Sequence, residues 1–355
     1  MRLDNSFGHS TVFTGPASPA ALCLQLIRLK QPVTRTFLVD HLQHSQPTIT
    51  RAVLALIRNQ LIRERPDKIV TTGPGRPKVP LEMAPTPWAL VGMAIGTNST
   101  YLGVYGTRGQ LLREQFVEIN PAELTISSFI NELLPQINSM VSDSKLPLAS
   151  LGFSTSGIVD EQQLITAANL GWDHADVVTP FEQALGIPVT LASVIEAIAG
   201  AEQQTQMPPR PLPPRNKSKA TPPKRIMRGP RAKDHRGLIF YVDDSVGAAI
   251  HTHNDVTLIE VGNYADLEEA AVDLAARTSP DTLVLAGSAF ENSVEAHAVG
   301  RALRSSEHAK VEIRVIPTHI DNARAAARAV AVARLLADPV SFAKRLDIAA
   351  GQYFI

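Results

Sequence analysis

Residues 34–72 read TRTFLVDHLQHSQPTITRAVLALIRNQLIRERPDKIVTT, and the order of signals within them decides the fold of the first part of the chain. Thr34 is placed to cap a short helix running to Leu42 that buries Phe37, Leu38 and Leu42. Ser45 is placed to cap a longer helix, Gln46 to about Asn59, with Ile49, Val53, Leu56 and Ile57 on one face. Leu61–Arg65 and Lys68–Thr72 read as two strands joined by the turn pair Pro66-Asp67. Upstream, Pro19–Lys30 carries Leu22, Leu26 and Ile27 at helical spacing and stops at Gln31-Pro32. Three helices followed by a hairpin predict a winged helix-turn-helix over residues 19–72, a fold that lays its third helix in the DNA major groove. Residues 1–18, without periodicity, read as a disordered tail, and residues 73–87, rich in Gly and Pro, as a linker.

Charge supports that reading. Lys and Arg balance Asp and Glu at 34 each over 355 residues. Residues 1–87, however, hold eleven Lys and Arg against five Asp and Glu. Residues 203–236 hold ten against one, so the remainder of the chain is strongly acidic. A basic head on an acidic body suggests that the head alone meets a polyanion. Hydrophobic residues make up 44% of the chain, enough for an aliphatic core, and no stretch is long and apolar enough to span a membrane. The first ten residues show no signal-peptide pattern, and the single cysteine, Cys23, excludes a multi-cysteine zinc site. A cytoplasmic protein is the expectation.

Beyond Trp88 strands and helices alternate, which predicts an α/β body over residues 88–355. Val91–Ile95, Tyr101–Tyr105, Leu111–Ile119, Leu148–Phe153, Pro188–Leu191, Leu238–Val242, Thr282–Ala286 and Val311–Ile316 read as strands, and Leu124–Val141, 266–277, Val294–Arg304 and Ala323–Ala337 as helices. Residues 203–236, rich in Pro, Lys and Arg, read as a disordered insertion that cannot bury a core.

This order resembles the ROK family of repressors, open reading frames and sugar kinases, and within it the repressor branch. Three features carry the resemblance. The winged head is followed by a G-x-G-R-P linker, Gly73–Pro77. Gly152–Asp160, GFSTSGIVD, is similar to the family's strand–Gly–Val-Asp element. Asn169-Leu170-Gly171-Trp172 and Gly186-Ile187-Pro188-Val189 are similar to a sugar-pocket segment and to the strand that precedes the catalytic residue. The resemblance implies an actin-like, ribonuclease H-like two-lobed sugar-kinase fold behind the winged head.

The departures from the family pattern fall on its chemistry. The first phosphate turn, D-x-G-x-T in family kinases, reads Ala94-Ile95-Gly96-Thr97-Asn98. The second, normally glycine-rich, reads Val242-Asp243-Asp244-Ser245-Val246-Gly247, and two carboxylates there repel phosphate. The Asn-Asp pair that supplies the general base falls on Ser193 and Val194, and valine accepts no proton. The zinc pattern E-x-G-H reads Glu260-Val261-Gly262-Asn263, and its cysteine run is absent. The expectation is therefore no catalytic residue, no metal and no cofactor.

For the head, the candidate DNA contacts are Ser45, Gln46, Thr48, Thr50, Arg51 and Arg58 on and before the third helix, Lys68 on the wing and Arg76 as a minor-groove hook. The corner before the helix, Gln43-His44, differs from the family's Gly-Leu. For the body, the resemblance implies effector contacts from Asn169, Glu260 and Glu268, with Trp172 packing nearby; Asn169 capping a turn and both glutamates on a solvated face remain the alternative. The function expected is a DNA-binding transcriptional regulator, a repressor by family, acting on double-stranded DNA as a homodimer or tetramer and answering to a small sugar-like effector. Two rivals stand beside it: an active sugar kinase with an attached DNA-binding head, and an effector-insensitive architectural DNA binder.

Overall fold

The computed structural model describes residues 6–69, 78–210 and 235–352. The chain opens with strand β1 (Ser6–His9), then helix α1 (Pro19–Lys30), strand β2 (Val33–Thr34), helix α2 (Arg35–Leu42), helix α3 (Gln46–Arg58) and strands β3 (Ile62–Glu64) and β4 (Pro80–Met83). Ser18, Thr34 and Ser45 cap the three helices, each side-chain oxygen accepting an N–H three residues on. Between α2 and α3, Gln43 takes the left-handed conformation (φ 55°) that a glycine would favour. Its side-chain amide donates 2.6 Å back to the Asp40 carbonyl, so the corner turns without the family's glycine.

The body begins with β5 (Ala89–Ile95), β6 (Ser99–Tyr105), β7 (Leu111–Glu118), α4 (Ile126–Ser144) and β8 (Leu148–Thr155). A small sheet follows, β9 (Ile158–Val159), β10 (Ile165–Ala167) and β11 (Trp172–Ala175), then α5 (Val178–Leu185) and β12 (Val189–Ser193). After α6 (Val194–Gln203) come β13 (Gly237–Val242), β14 (Val246–His251), β15 (Val256–Ile259), α7 (Leu267–Thr278), β16 (Thr282–Ala286), α8 (Ser293–Ser305), β17 (Glu312–Val315), α9 (His319–Ala337) and α10 (Pro339–Gln352).

One topology occurs twice. The first large sheet runs β12-β8-β5-β6-β7, with β5, β6 and β7 antiparallel and β5, β8 and β12 parallel. The second runs β1-β15-β14-β13-β16-β17, where β13, β14 and β15 form the meander and β13, β16 and β17 the parallel half. In each, a helix (α4, α7) makes the crossover that a parallel strand pair requires. Two such lobes make an actin-like body. The Ala-rich α9 lies directly on the first sheet: a β-carbon on Gly92 would stand 2.1 Å from the Ala327 carbonyl oxygen, and one on Gly152 2.5 Å from that of Val330. Small residues on both surfaces permit this approach.

Four expectations need correction. Residues 6–18 are not a loose tail: β1 pairs antiparallel with β15, and Phe13, only 2% exposed, packs its ring on Gly200 of α6. A single edge strand and a single aromatic anchor leave no period to detect. Of the expected wing strand Lys68–Thr72, residues 70–72 lie outside the described residues. Pro66–Lys68 is a single 3-10 turn, and β3 pairs instead with β4, which lies in the stretch read as linker; β2 completes the sheet as β2-β4-β3. The winged unit thus extends to Met83. The basic insertion has ordered ends: Gln203 closes α6, Gln204 is buried, and Arg236 donates 2.8 Å to the Thr278 carbonyl. Residues 211–234 lie outside the described residues. Phe37, expected inside, is 37% exposed and stacks on His41.

The head is docked rather than tethered. Buried Gln25 of α1 donates to the carbonyls of Gln204 (3.0 Å) and Gln206 (3.1 Å), and Arg28 to that of Gln204. His41 bonds the Pro208 carbonyl at 2.9 Å, and Arg108 donates to that of Met83 at 2.8 Å. One apolar cluster runs from Leu24, Leu38, Val53 and Leu56 through Leu81 to Leu90, Leu335 and Phe342, so head and body share a core.

Candidate nucleic-acid interface and interlobe cleft

On α3, Ile49, Ala52, Val53 and Leu56 are buried and anchor the helix to α1. The opposite face presents Arg51 and Arg58, both exposed; Gln46 is exposed in the first turn, and Thr48, Thr50 and Ala55 are half-buried. Among the described residues neither Arg51 nor Arg58 makes an ion pair, so both guanidinium groups are available to a ligand. Ser45 is exposed but engaged: its hydroxyl caps Thr48 N–H at 3.3 Å and lies 2.9 Å from the Thr48 hydroxyl. Lys68 is tied to Glu82, which also takes Arg65 at 2.6 Å; its charge is neutralised within the wing, so the expected phosphate contact is weakened. Both cations, led by Lys68, hold the Glu82 carboxyl below its ordinary range. Arg76 lies outside the described residues.

The expected effector residues do not converge. Asn169 lines a polar cleft of about 220 Å³ between the lobes. Trp172 does not: it is 5% exposed and packs edge-on to Phe129 at 5.5 Å, a core residue of the first lobe. Glu260 is exposed and Glu268 half-buried in the first turn of α7, and neither lines the cleft.

What the cleft does bring together is the pair of expected phosphate turns and Val194, at the position of the missing base. The neighbouring Ser193 is occupied in a capping box with Glu196, each side chain serving the other's backbone N–H. Asp244, in the β13–β14 turn, reaches across: the Thr97 hydroxyl donates to it at 2.6 Å and the Asn169 amide at 3.2 Å. Asn169 also donates to Ser156 at 3.0 Å. The second-lobe turn is thereby fastened to the first-lobe turn.

Asp243 is held from its own side of the cleft. Its carboxylate accepts from Ser288 (2.6 Å) and Tyr241 (3.0 Å), and His319 Nδ1, at the start of α9, stands 3.8 Å away at ion-pair range. The His319 charge, against the opposing effect of burial and helped by the two hydroxyls, holds the Asp243 carboxyl down at about 2. The same pairing raises His319 above its ordinary value. Sequence reading missed His319 and Ser288; 45 and more residues separate them from Asp243, and only the folded second lobe puts them beside it. Among the described residues no three His, Cys, Asp or Glu side chains group to hold a metal ion, and no helix is long and apolar enough to cross a membrane.

Comparison with known proteins agrees with this architecture. Residues 90–208 match the sequence model of the ROK family. Proteins named as transcriptional regulators from Mycobacterium tuberculosis and Mycobacterium bovis are each 31% identical over 187 residues, covering 52% of this chain and 42% of theirs. The chain thus spans less than half the length of those relatives. A crystal structure of a ROK family transcriptional regulator, a homologue of the E. coli MLC protein, is similar to 92% of this chain and 98% of its own, with a TM-score of 0.65 at 14% identity. That likeness is one of fold, and it spans the winged head as well as both lobes. Over residues 90–208, in the first lobe, the chain is similar to the ROK family in sequence as well as in fold.

Proposed function

We propose that the protein is a DNA-binding transcriptional regulator whose kinase-like body no longer phosphorylates sugars. The carrying observation is the face of α3: two exposed guanidinium groups, free of ion pairs among the described residues, on the third helix of a winged unit that is bolted to the body. Arg51 and Gln46 have the donor geometry to read guanine and adenine edges, and Arg58 to grip phosphate. The relatives named as transcriptional regulators support this role.

The cleft supports the second half of the reading. Phosphoryl transfer to a sugar hydroxyl needs a base beside the hydroxyl and donors around the phosphates. Val194 stands where the base would be, and Asp243 and Asp244 put negative charge where phosphates would lie. A repressor acting as a homodimer on a pseudo-palindromic operator, with a sugar-like ligand contacting Asn169, is the finer form of the proposal. Gel shifts of fragments of the source genome at graded salt test it. A sequence-selective complex that weakens steeply with salt is expected; a uniform, sequence-blind association would leave only an architectural role.

A further inference from the structure

A second cavity, about 710 Å³, shares no residue with the interlobe cleft. It opens where the N-terminal segment, the edge strand β12 and helices α9 and α10 meet. Its walls are largely apolar, with Trp88, Ile187, Phe342 and Leu346 among them. Three charged groups face it: Arg334, Arg345 and Asp338. Asp338 caps the start of α10, its carboxylate accepting the Ser341 N–H at 3.2 Å. Arg334 is half-buried, donating to the Thr190 hydroxyl and the Val189 carbonyl, both at 2.6 Å. Among the described residues neither arginine has an anionic partner within ion-pair range; burial lowers Arg334, and there the charge of Glu182 acts more strongly than that of Arg345. A largely apolar chamber of this size that ends in two arginines without an ion-pair partner among the described residues is unlike a sugar site, which needs donors and acceptors on all sides.

We propose that this cavity binds an amphipathic carboxylate, its apolar body against Trp88, Ile187, Phe342 and Leu346 and its carboxylate between Arg334 and Arg345. A carboxylate there gains charge-assisted hydrogen bonds from guanidinium groups that have no ion-pair partner among the described residues. The site does not depend on the DNA-binding reading. If that reading holds, the ligand would touch the body's link to the reading head, since Phe342 belongs to the core shared with α1 and α3.

Isothermal titration of the full chain with dodecanoate and with 1-dodecanol tests the proposal. Dodecanoate should bind at least tenfold more tightly than the alcohol. Arg345→Gln, at an exposed position, should erase that preference and leave alcohol binding unchanged, while Arg345→Lys should keep part of it. Thr97→Val, in the other cleft, should leave dodecanoate binding as it is. Equal affinity for acid and alcohol, a preference that survives Arg345→Gln, loss of binding in Thr97→Val, or no binding of dodecanoate would each overturn the assignment.

Discussion

Replacing Arg51 by alanine isolates the contribution of the α3 face. Arg51 is exposed and touches no carboxylate among the described residues, so its removal breaks no interaction that holds the fold. Surface changes of that kind move stability by roughly 0.5 kcal/mol or less. An arginine that reads a guanine edge contributes about 1–3 kcal/mol to specific binding, which is roughly five- to 150-fold in Kd for each protomer. The assay is fluorescence anisotropy with the selected operator, repeated from low to moderate salt, alongside thermal denaturation. Two outcomes separate the possible roles of the side chain. If Arg51 reads a base, affinity falls and discrimination at one operator position relaxes, while the salt slope is unchanged. If it grips phosphate, affinity falls for all sequences and the slope drops by about one. Wild-type affinity and slope in a variant that melts normally would refute the assignment of α3 as the reading helix.

Three further outcomes follow from the body. Gly92→Ala forces a β-carbon into the Ala327 carbonyl and should cost about 1–3 kcal/mol in urea denaturation, because α9 must lift from the sheet. The Asp243–His319 pair should stabilise the second lobe most between about pH 4 and 6.5. Asp243 sits below its unfolded value of 3.8, so its share is complete above that and is lost as pH falls toward about 2. His319 sits above 6.5, so its share is complete below that and is lost as pH rises through its folded value. Asp243→Asn should accordingly return the His319 titration, followed by NMR, toward 6.5. Finally, neither the wild type nor Val194→Asp should release ADP in a coupled assay over a panel of hexoses, since a restored base still faces two carboxylates at the phosphate turns.

The parts of this fold legible in sequence are those that repeat a period. The face of α3 carries Ile49, Val53 and Leu56 at helical spacing, and β5 and residues 283–286 of β16 are unbroken apolar runs, so each announced itself. The parts that escaped are set by contacts distant in sequence. β4 is a four-residue strand that begins with a proline inside a Pro-rich stretch, and only the register Arg63 to Glu82 shows that it belongs to the wing. Phe13 is one aromatic in an aperiodic segment, and its burial depends on the space that Gly200 leaves. The effector residues carried over from a family pattern are not gathered at one place. Trp172 follows Asn169 by three residues, but a 3-10 turn ending at Gly171 (φ 67°) sends Asn169 to the cleft and Trp172 into the core.

The two aspartates of the second phosphate turn were expected to act by repulsion alone, and their placement gives them a different physical meaning. A pair of bare carboxylates would hold the cleft open. Here one is compensated from its own lobe by His319, Ser288 and Tyr241, and the other crosses to Thr97 and Asn169. Negative charge placed where a nucleotide's phosphates would lie thus becomes the latch between the turns that would have cradled it. The same side chains cannot both fasten the lobes and admit a polyanion, because phosphate would compete with Asp244 for the Thr97 hydroxyl while being repelled by Asp243. On the proposed reading, valine at position 194 and the bonded phosphate turns are two parts of one change, which ties the lobes together beneath the winged head.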